Sequence, residues 1–366
     1  MVVDMKVLFL TNIPSPYRVD FFNELGKYCE LTVAFEGENA TDRDKKWKAS
    51  EVQNFKAIFL RGVRTKSDQF FCLDIFKVIK EGFDQIIVGG YSTPTGMLAI
   101  EFMRLHRIPF WIEADGGMIS QDNWIKYRIK KHFISAACGW LSSGKMTTKY
   151  FVNYGADVSR ICTYPFTSLK TEDIAADVPT VEEKNCLRNK LNMRNKVVLT
   201  VGQFIHRKGF DVLLEAWKDC SKDAELYIVG AEPTEEYQRI KEELELNNVY
   251  FVGFKTKDQL KQYYKAADLF VLPTREDIWG LVVNEAMANG LPVITTDRCV
   301  AGLELVEDDK NGYIVPVENS EILAQKINYV LDNDAVRKKM AQNSLKKIKD
   351  WTIENMAKQH WNIMRK

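Results

Sequence analysis

Short apolar runs alternate with amphipathic helical stretches along the whole chain. This alternation is typical of α/β domains whose sheets are parallel. The runs that read as strands fall into two sets. The first set comprises Lys6–Leu10, Leu31–Phe35, Ala57–Leu60, Gln85–Val88, Phe110–Ile112 and Trp140–Ser142. The second set comprises Lys196–Val201, Glu225–Val229, Val249–Val252, Leu269–Leu272, Val293–Thr295 and Tyr313–Val315. Each set is sufficient for a doubly wound sheet of its own.

A polar, charged stretch over residues 171–195 separates the two sets of strands. A length of 366 residues also predicts about two domains. We therefore expect one domain over residues 1–170 and a second over residues 171–343. The last stretch, residues 344–366, has apolar residues at helical spacing. This helix either returns to the first domain or caps the second.

Composition and charge exclude several classes of protein. The chain is 46% hydrophobic and 28% charged, which supplies enough apolar material for two cores. A formal net charge of +1 gives no global field that would attract nucleic acid. The 7 cysteines are scattered and odd in number, which indicates reduced thiols rather than a zinc site. No apolar run approaches the roughly 18 residues of a membrane span, and the first is too short for a signal peptide, so we expect a cytoplasmic protein.

The most informative segment follows the apolar run Leu269–Leu272. Acids at Glu276 and Asp277 precede Gly280, and a helix-forming stretch containing Glu285 follows. The start of a helix exposes unpaired N–H groups and the positive end of the helix dipole, which suit a phosphate. Acids on either side of that start can accept hydrogen bonds from hydroxyl groups. The pattern therefore predicts a site for a nucleotide diphosphate sugar, and the alternative is a packed helix with solvated acids.

This segment resembles the signature of the family 4 glycosyltransferases, which are retaining enzymes of GT-B fold. Asp277 and Glu285 have the family spacing, with Trp279-Gly280 and Glu285-Ala286-Met287-Ala288 in place. Most members have Glu at the first acid, so whether Glu276 or Asp277 faces the sugar stays open. The resemblance implies two doubly wound Rossmann-like domains facing each other across a cleft, with the last helix crossing back onto the first domain. It also implies a donor-binding set: Gly202, Gln203, Phe254, Glu276, Trp279, Gly280, Leu281, Val282 and Glu285.

A second segment of the resemblance begins at Gly202 and ends at Lys208-Gly209. In the family an arginine follows the first glycine, and here that position is Gln203. Arg207 beside Lys208 is the candidate for the missing charge, because an arginine can grip a diphosphate bidentately. Cations at the carboxyl end of a strand lie where open α/β sheets bind ligands. The resemblance implies that Arg207 and Lys208 stabilise the departing diphosphate, together with Asp277 as a catalytic residue and without a metal ion.

The first half is expected to bind the acceptor. Arg18 follows a proline-rich loop and either contacts an acceptor phosphate or pairs with an acid on a helix face. After the strand Phe110–Ile112, Asp115 occupies the place where many relatives have a histidine that touches the donor sugar, with Glu113 beside it. Asp115 is therefore a candidate catalytic residue, and an Asp-Gly turn is the alternative.

Two further patterns concern membranes and metals. Residues 124–134 interleave cations with aromatic and aliphatic residues, which favours either an anionic membrane surface or a surface helix packed on the sheet. Membrane contact would place the protein at the inner face of the membrane. Asp42-Arg43-Asp44 resembles a metal-binding Asp-x-Asp, but it lies among lysines in a charged stretch, and we interpret it as a solvated turn.

The sequence thus predicts a retaining glycosyltransferase that uses a nucleotide diphosphate sugar, a UDP-sugar in preference to a GDP-sugar. The acceptor is expected to be a glycan hydroxyl, on a lipid-linked glycan of polysaccharide assembly. No cofactor or metal is expected, and no nucleic-acid partner. A nucleotide-sugar 2-epimerase and a degenerate partner subunit of the same fold are the alternatives. Slow hydrolysis of a nucleotide sugar would distinguish an enzyme from a partner subunit.

Overall fold

The computed structural model describes residues 5–39 and 51–366. The chain divides into two compact units: the first runs to Ser168 and includes Trp351–Lys366, and the second is Leu169–Asp350. The Asp42-Arg43-Asp44 motif lies outside the described residues. No helix in the described ranges is both long enough and apolar enough to cross a membrane.

The first unit is built on a parallel sheet in which, among the described residues, the strand order is β3-β2-β1-β6-β7-β8-β9. Its strands are β1 (Lys6–Thr11), β2 (Glu30–Phe35), β3 (Lys56–Phe59), β6 (Gln85–Val88), β7 (Trp111–Ala114), β8 (Gly139–Ser142) and β9 (Ile161–Thr163), with a separate hairpin of β4 (Val63–Lys66) and β5 (Gln69–Phe71). Its helices are α1 (Pro16–Leu25), α2 (Ile75–Ile79), α3 (Pro94–His106), α4 (Trp124–Ile134), α5 (Lys145–Asn153) and the C-terminal α14 (Ile353–Met364).

The second unit has a parallel sheet of order β12-β11-β10-β13-β14-β15 within the described part of the chain. Its strands are β10 (Lys196–Gly202), β11 (Ala224–Gly230), β12 (Val249–Val252), β13 (Leu269–Leu272), β14 (Val293–Thr296) and β15 (Gly312–Val315). Its helices are α6 (Val181–Leu191), α7 (Phe210–Trp217), α8 (Glu235–Glu243), α9 (Lys257–Ala266), α10 (Leu281–Ala288), α11 (Val300–Leu305), α12 (Ser320–Asp332) and α13 (Asp334–Ile348).

The central strands of both sheets are apolar and buried along almost their whole length. All four residues of β13 are buried, and so are the residues of β10 from Val197 to Val201. Strands covered by helices on both faces need continuous apolar runs, which explains why the sequence pattern located them. In each sheet the chain order reverses beside the first strand, between β1 and β6 and between β10 and β13. Ligands of doubly wound sheets bind at such switch points, outside the carboxyl ends of the strands.

The C-terminal stretch differs from the single helix predicted over residues 344–366. The helix α13 ends at Ile348, and α14 begins at Ile353 after Thr352, whose hydroxyl accepts from the Asn355 N–H at 3.2 Å. A β-region residue with a capping hydroxyl starts a new helix rather than continuing the old one. α14 packs in the first unit, where the Trp361 ring stacks on Tyr28 at 6.4 Å.

Candidate functional site

The loops after β10 and β13 meet at the switch point of the second unit. A single 3-10 turn over His206–Lys208 leads into Gly209, whose φ of 65° is in the left-handed region. A Cβ at Gly209 would lie 2.2 Å from the Pro273 carbonyl oxygen, so only glycine permits this approach of the two loops. The close approach places the cationic turn against the acidic segment that follows β13.

Lys208 and Asp277 form the centre of this site. The Nζ of Lys208 lies 2.6 Å from Oδ2 of Asp277, and the Nη1 of Arg207 lies 3.5 Å from its Oδ1. The Lys208 and Asp277 side chains are 13% and 12% exposed, whereas Arg207 is 46% exposed. The stem of Lys208 passes over Gly202, where an added Cβ would lie 3.4 Å from Cε of the lysine. The ammonium group is thus held at the edge of the sheet by an acid that a ligand anion can replace.

The two adjacent acids have different surroundings. Asp277 is buried, whereas the Glu276 side chain is exposed. The Glu276 carbonyl accepts from the Thr274 hydroxyl at 3.0 Å and from Arg207 Nη1 at 2.9 Å. The Asp277 carboxylate therefore pairs with Lys208 and Arg207, whereas Glu276 is held through its backbone carbonyl.

Arg275 is a residue that the sequence analysis missed. Its guanidinium makes two hydrogen bonds to the Asp211 carboxylate, at 2.8 and 2.7 Å, and donates to the His206 carbonyl at 2.7 Å. Its backbone N–H donates to the Arg207 carbonyl at 2.8 Å. Arg275 therefore ties the turn that carries Lys208 to the loop that carries Asp277. The signal available in the sequence was a lone arginine beside the acids, which does not reveal partners on another loop.

The start of α10 carries four of the predicted donor residues, Trp279, Gly280, Leu281 and Val282. Gly280 has a φ of 102° and precedes Leu281 and Val282, both half-buried. Trp279 is buried, and its indole N–H donates to Asn284 Oδ1 at 2.9 Å, so its ring packs inside the domain. Any contact of Trp279 with a ligand would be through its backbone.

Three predicted donor residues lie elsewhere in the second unit: Glu285 within α10, and Gln203 and Phe254 in loops. The Glu285 carboxylate accepts from the Tyr264 hydroxyl at 2.9 Å. Gln203 and Phe254 are exposed in the loops after β10 and β12. Because the carboxyl ends of parallel strands lie at one edge of a sheet, the loops that carry Gln203 and Phe254 begin at the same edge as the loop that leads into α10.

In the first unit, Arg18 is buried beneath the end of β7. Its Nη1 lies 2.8 Å from Glu113 Oε1, and its Nη2 donates to Asp115 Oδ1. The Tyr164 hydroxyl donates to Glu113 at 3.0 Å, and Tyr17 donates to Asp115 at 3.4 Å. Arg18 therefore pairs with two acids at a strand end, and not with an acid on a helix face as one alternative held.

The two acids of this cluster differ in pKa. Burial acts to raise the pKa of Glu113, but Arg18 and His360 outweigh it and hold that pKa at about 2. Burial raises the pKa of Asp115 to about 6, with Arg18 opposing the shift and Glu113 adding to it. Asp115 is also the more exposed acid, with 27% of its side chain accessible against 0% for Glu113. Asp115 is thus the acid of this cluster that a ligand can reach.

Comparison with known proteins identifies the second unit. Residues 182–347 match the family of group 1 glycosyl transferases. The second unit is thus similar to the group 1 glycosyl transferases. That unit contains the Lys208–Asp277 pair, Gly280 and Glu285, so the resemblance read from the sequence is confirmed.

Curated relatives match this chain over part of their length. An uncharacterized glycosyltransferase of Haemophilus influenzae is 32% identical over 183 residues, which are 48% of this chain and 51% of that protein. The amylovoran biosynthesis glycosyltransferase AmsD of Erwinia amylovora is 26% identical over 201 residues, 53% of this chain and 56% of that protein. The chain spans about half the length of the curated relatives it matches.

A solved structure extends the comparison to almost the whole chain. HepE of Anabaena, crystallised with UDP, superposes with a TM-score of 0.78 over 97% of this chain and 98% of that one, at 18% identity. Similarity at that identity shows the fold. The predicted GT-B class, with two Rossmann-like α/β domains, is therefore confirmed.

Proposed function

We propose that the protein is a retaining glycosyltransferase that moves a sugar from a UDP-sugar to a hydroxyl of a glycan acceptor. The observation that carries this proposal is the Lys208 ammonium, held 2.6 Å from Asp277 beside the start of α10. A cation at the switch point beside a helix start is suited to a diphosphate. A crystal structure of HepE with UDP-glucose supports a uridine donor by similarity of fold.

In this reaction the protein must stabilise the leaving group, the nucleotide diphosphate. As the bond from the sugar to the diphosphate breaks, negative charge grows on the terminal phosphate oxygens. Lys208, Arg207 and the N–H groups at the start of α10 can stabilise that charge without reorganising. These groups supply the positive charge that a metal ion supplies elsewhere, so we propose that transfer is metal-independent.

Retention follows if the acceptor hydroxyl attacks from the face that the leaving group departs from. The acceptor proton then passes to an oxygen of the departing phosphate, and the new glycosidic bond forms as the old one breaks. Asp277 releases Lys208 to the diphosphate and accepts from a sugar hydroxyl. We assign Asp115 the same kind of role, as an acceptor of a hydrogen bond from a substrate sugar hydroxyl.

The acceptor class rests on the relatives. They include AmsD of amylovoran biosynthesis and LpsE, a lipopolysaccharide core glycosyltransferase of Rhizobium meliloti. We propose a lipid-linked glycan of surface polysaccharide assembly as the acceptor. Such an acceptor would bring the protein to an anionic membrane surface from the cytoplasmic side.

The helix α4 supports that membrane proposal in part. Ile134 is buried and Phe133 half-buried, so one end of the helix packs on the core. At the other end Trp124 is 71% exposed and Ile125 is 61% exposed. Exposed aromatic and aliphatic residues among cations are typical of an interfacial helix.

Ion pairs determine which cations of α4 to replace in a test. Lys126 and Lys130 pair with Asp122, whose side chain is 2% exposed, at 3.0 and 2.8 Å. Arg128 and Lys131 are exposed and make no ion pair within the described residues. Replacing Lys126 and Lys130 would leave the buried Asp122 without its cationic partners and could destabilise the fold. Arg128 and Lys131 are therefore the cations to replace.

We expect Arg128→Gln with Lys131→Gln to weaken binding to vesicles that contain anionic lipid. Each cation near such a surface contributes about 1 kcal/mol, so the double variant should bind roughly 10- to 30-fold less tightly at low salt. Cosedimentation measures the binding, and Lys338→Gln with Lys339→Gln on α13 is the matched control. Equal binding of the wild type to neutral and anionic vesicles would contradict the membrane proposal.

A thermal-shift comparison of UDP, GDP and ADP tests the donor. UDP at about 100 times its dissociation constant should add roughly 2.7 kcal/mol to the free energy of unfolding. GDP and ADP at the same concentration should add less. Slow hydrolysis of UDP-glucose would then separate an enzyme from a partner subunit that only binds. A stronger shift with GDP would overturn the uridine assignment.

A further inference from the structure

His360 is the polar residue on the buried face of α14. The other buried residues of that helix are apolar: Ile353, Met356, Ala357, Trp361, Ile363 and Met364. The His360 ring lies 4.8 Å from Phe21 of α1 and 4.5 Å from Tyr164, centroid to centroid. A helix that only packs against α1 does not need an imidazole at this position.

Both nitrogens of His360 face acceptors. Nδ1 lies 2.8 Å from the Met356 carbonyl oxygen, which can only accept, so Nδ1 donates. Nε2 lies 3.4 Å from Glu113 Oε2, within ion-pair distance, and neither atom makes a hydrogen bond in the described part of the chain. Glu113 is ionised, so a lone pair on Nε2 would face a carboxylate. A hydrogen on Nε2 would turn this contact into an ion pair with the Glu113 carboxylate.

Four ionisable groups thus form one line inside the first unit: His360, Glu113, Arg18 and Asp115. Glu113 turns Oε2 to His360 and Oε1 to Arg18, and Arg18 reaches Asp115 with its other nitrogen. His360 and Glu113 are both 0% exposed. Replacing such a buried ion pair by apolar residues is often neutral or stabilising, so stability alone does not account for this line. The line ends at Asp115, whose side chain is the most exposed of the four.

We propose that His360 is a positioning residue for sugar transfer, acting on Asp115 through Glu113 and Arg18. The proposal rests on the function proposed above, in which ionised Asp115 accepts from a sugar hydroxyl. The positive charge of His360 balances Glu113, so that Arg18 can serve Asp115 as well. The C-terminal helix thereby influences a site whose residues lie between Tyr17 and Tyr164.

The charges around Asp115 set the direction of the test. Arg18 and Tyr17 face it from α1, Glu113 from β7, and Tyr164 from the segment after β9. Asp115 is ionised above its pKa of about 6, so activity should fall as pH falls through that value. Removing the His360 charge raises the pKa of Asp115, and removing the Glu113 charge lowers it.

The experiment is the pH profile of kcat/KM for sugar transfer in wild type, His360→Gln and Glu113→Gln. We expect the acidic limb to move up by roughly 0.5 to 1 pH unit in His360→Gln and down in Glu113→Gln. The exposed His106→Gln is the matched control and should leave the limb in place. The proposal would be overturned if the acidic limb of the pH profile did not move in the two variants, or if it moved in the same direction in both.

A second measurement is independent of activity and of the folding of variants. In wild-type protein labelled with nitrogen-15 histidine, His360 should show hydrogens on both ring nitrogens at pH 7, with its signals assigned by their loss in His360→Gln or, if that variant does not fold, by through-bond correlation. A single protonated nitrogen would overturn the inference. If the wild type shows the imidazolium but transfers no sugar, the proposed function fails and Asp115 loses the role that His360 is inferred to support.

Discussion

Lys208→Ala is expected to lower kcat by about 100- to 1,000-fold while leaving the fold intact, because a fixed charge on a departing group typically contributes that much. The ammonium lies at the edge of the sheet and is 13% exposed, and its loss removes no core contact. Its charge is used most when the diphosphate leaves, so kcat should fall more than UDP affinity. Steady-state kinetics and calorimetric binding of UDP measure the two effects separately.

Stability is the main competing explanation for such a loss. Without Lys208, the buried Asp277 keeps only Arg207, whose Nη1 is 3.5 Å away, so a modest fall in melting temperature is expected. Lys208→Arg keeps the charge and should retain part of the activity. Lys222→Ala, at an exposed lysine, is the matched control. Turnover at the wild-type level in Lys208→Ala would remove Lys208 from the mechanism.

The strands of both sheets were predictable because fully buried parallel strands leave long apolar runs. Gln85–Val88, Val249–Val252 and Leu269–Leu272 were located to the residue. The short strand β9 and the exposed hairpin β4–β5 were missed, since their residues are partly polar or exposed. The polar composition of residues 171–195 concealed the helix α6, although Thr180 and Glu183 form a capping box at its start. A capping box can be recognised in a sequence and predicts the start of this helix.

The chemistry of the second-domain site was predictable as residue types and not as partnerships. The motifs supplied Lys208, Asp277 and Glu285 because each follows a recognisable strand. They did not reveal that Lys208 pairs with Asp277, 69 residues away, or that Arg275 ties their loops together. Contacts between loops depend on how neighbouring strands align, which local patterns do not encode. The contacts that connect His360 to Asp115 could not be predicted from the sequence for the same reason.

Glu285→Ala is expected to weaken UDP binding by about 1 to 3 kcal/mol, the usual cost of removing one buried hydrogen-bond partner. The resemblance to the family places this acid on the ribose hydroxyls. One of its oxygens already accepts from the Tyr264 hydroxyl at 2.9 Å. Burial and the nearby Glu285 raise the pKa of Tyr264, so its hydroxyl keeps its hydrogen and remains a donor. Tyr264 thus orients the Glu285 carboxylate.

Calorimetry with UDP and with uridine alone can locate the lost interaction. If Glu285 binds the ribose, Glu285→Ala should weaken both ligands by the same factor, because uridine contains the ribose and lacks the phosphates. Tyr264→Phe removes only the orienting hydroxyl and should cost less than Glu285→Ala for either ligand. Asp277→Ala should instead weaken UDP-glucose more than UDP, since its proposed partner is a sugar hydroxyl. Unchanged uridine binding in Glu285→Ala would show that Glu285 does not bind the ribose. A loss of affinity confined to UDP-glucose would mean that Glu285 and Asp277 have exchanged roles.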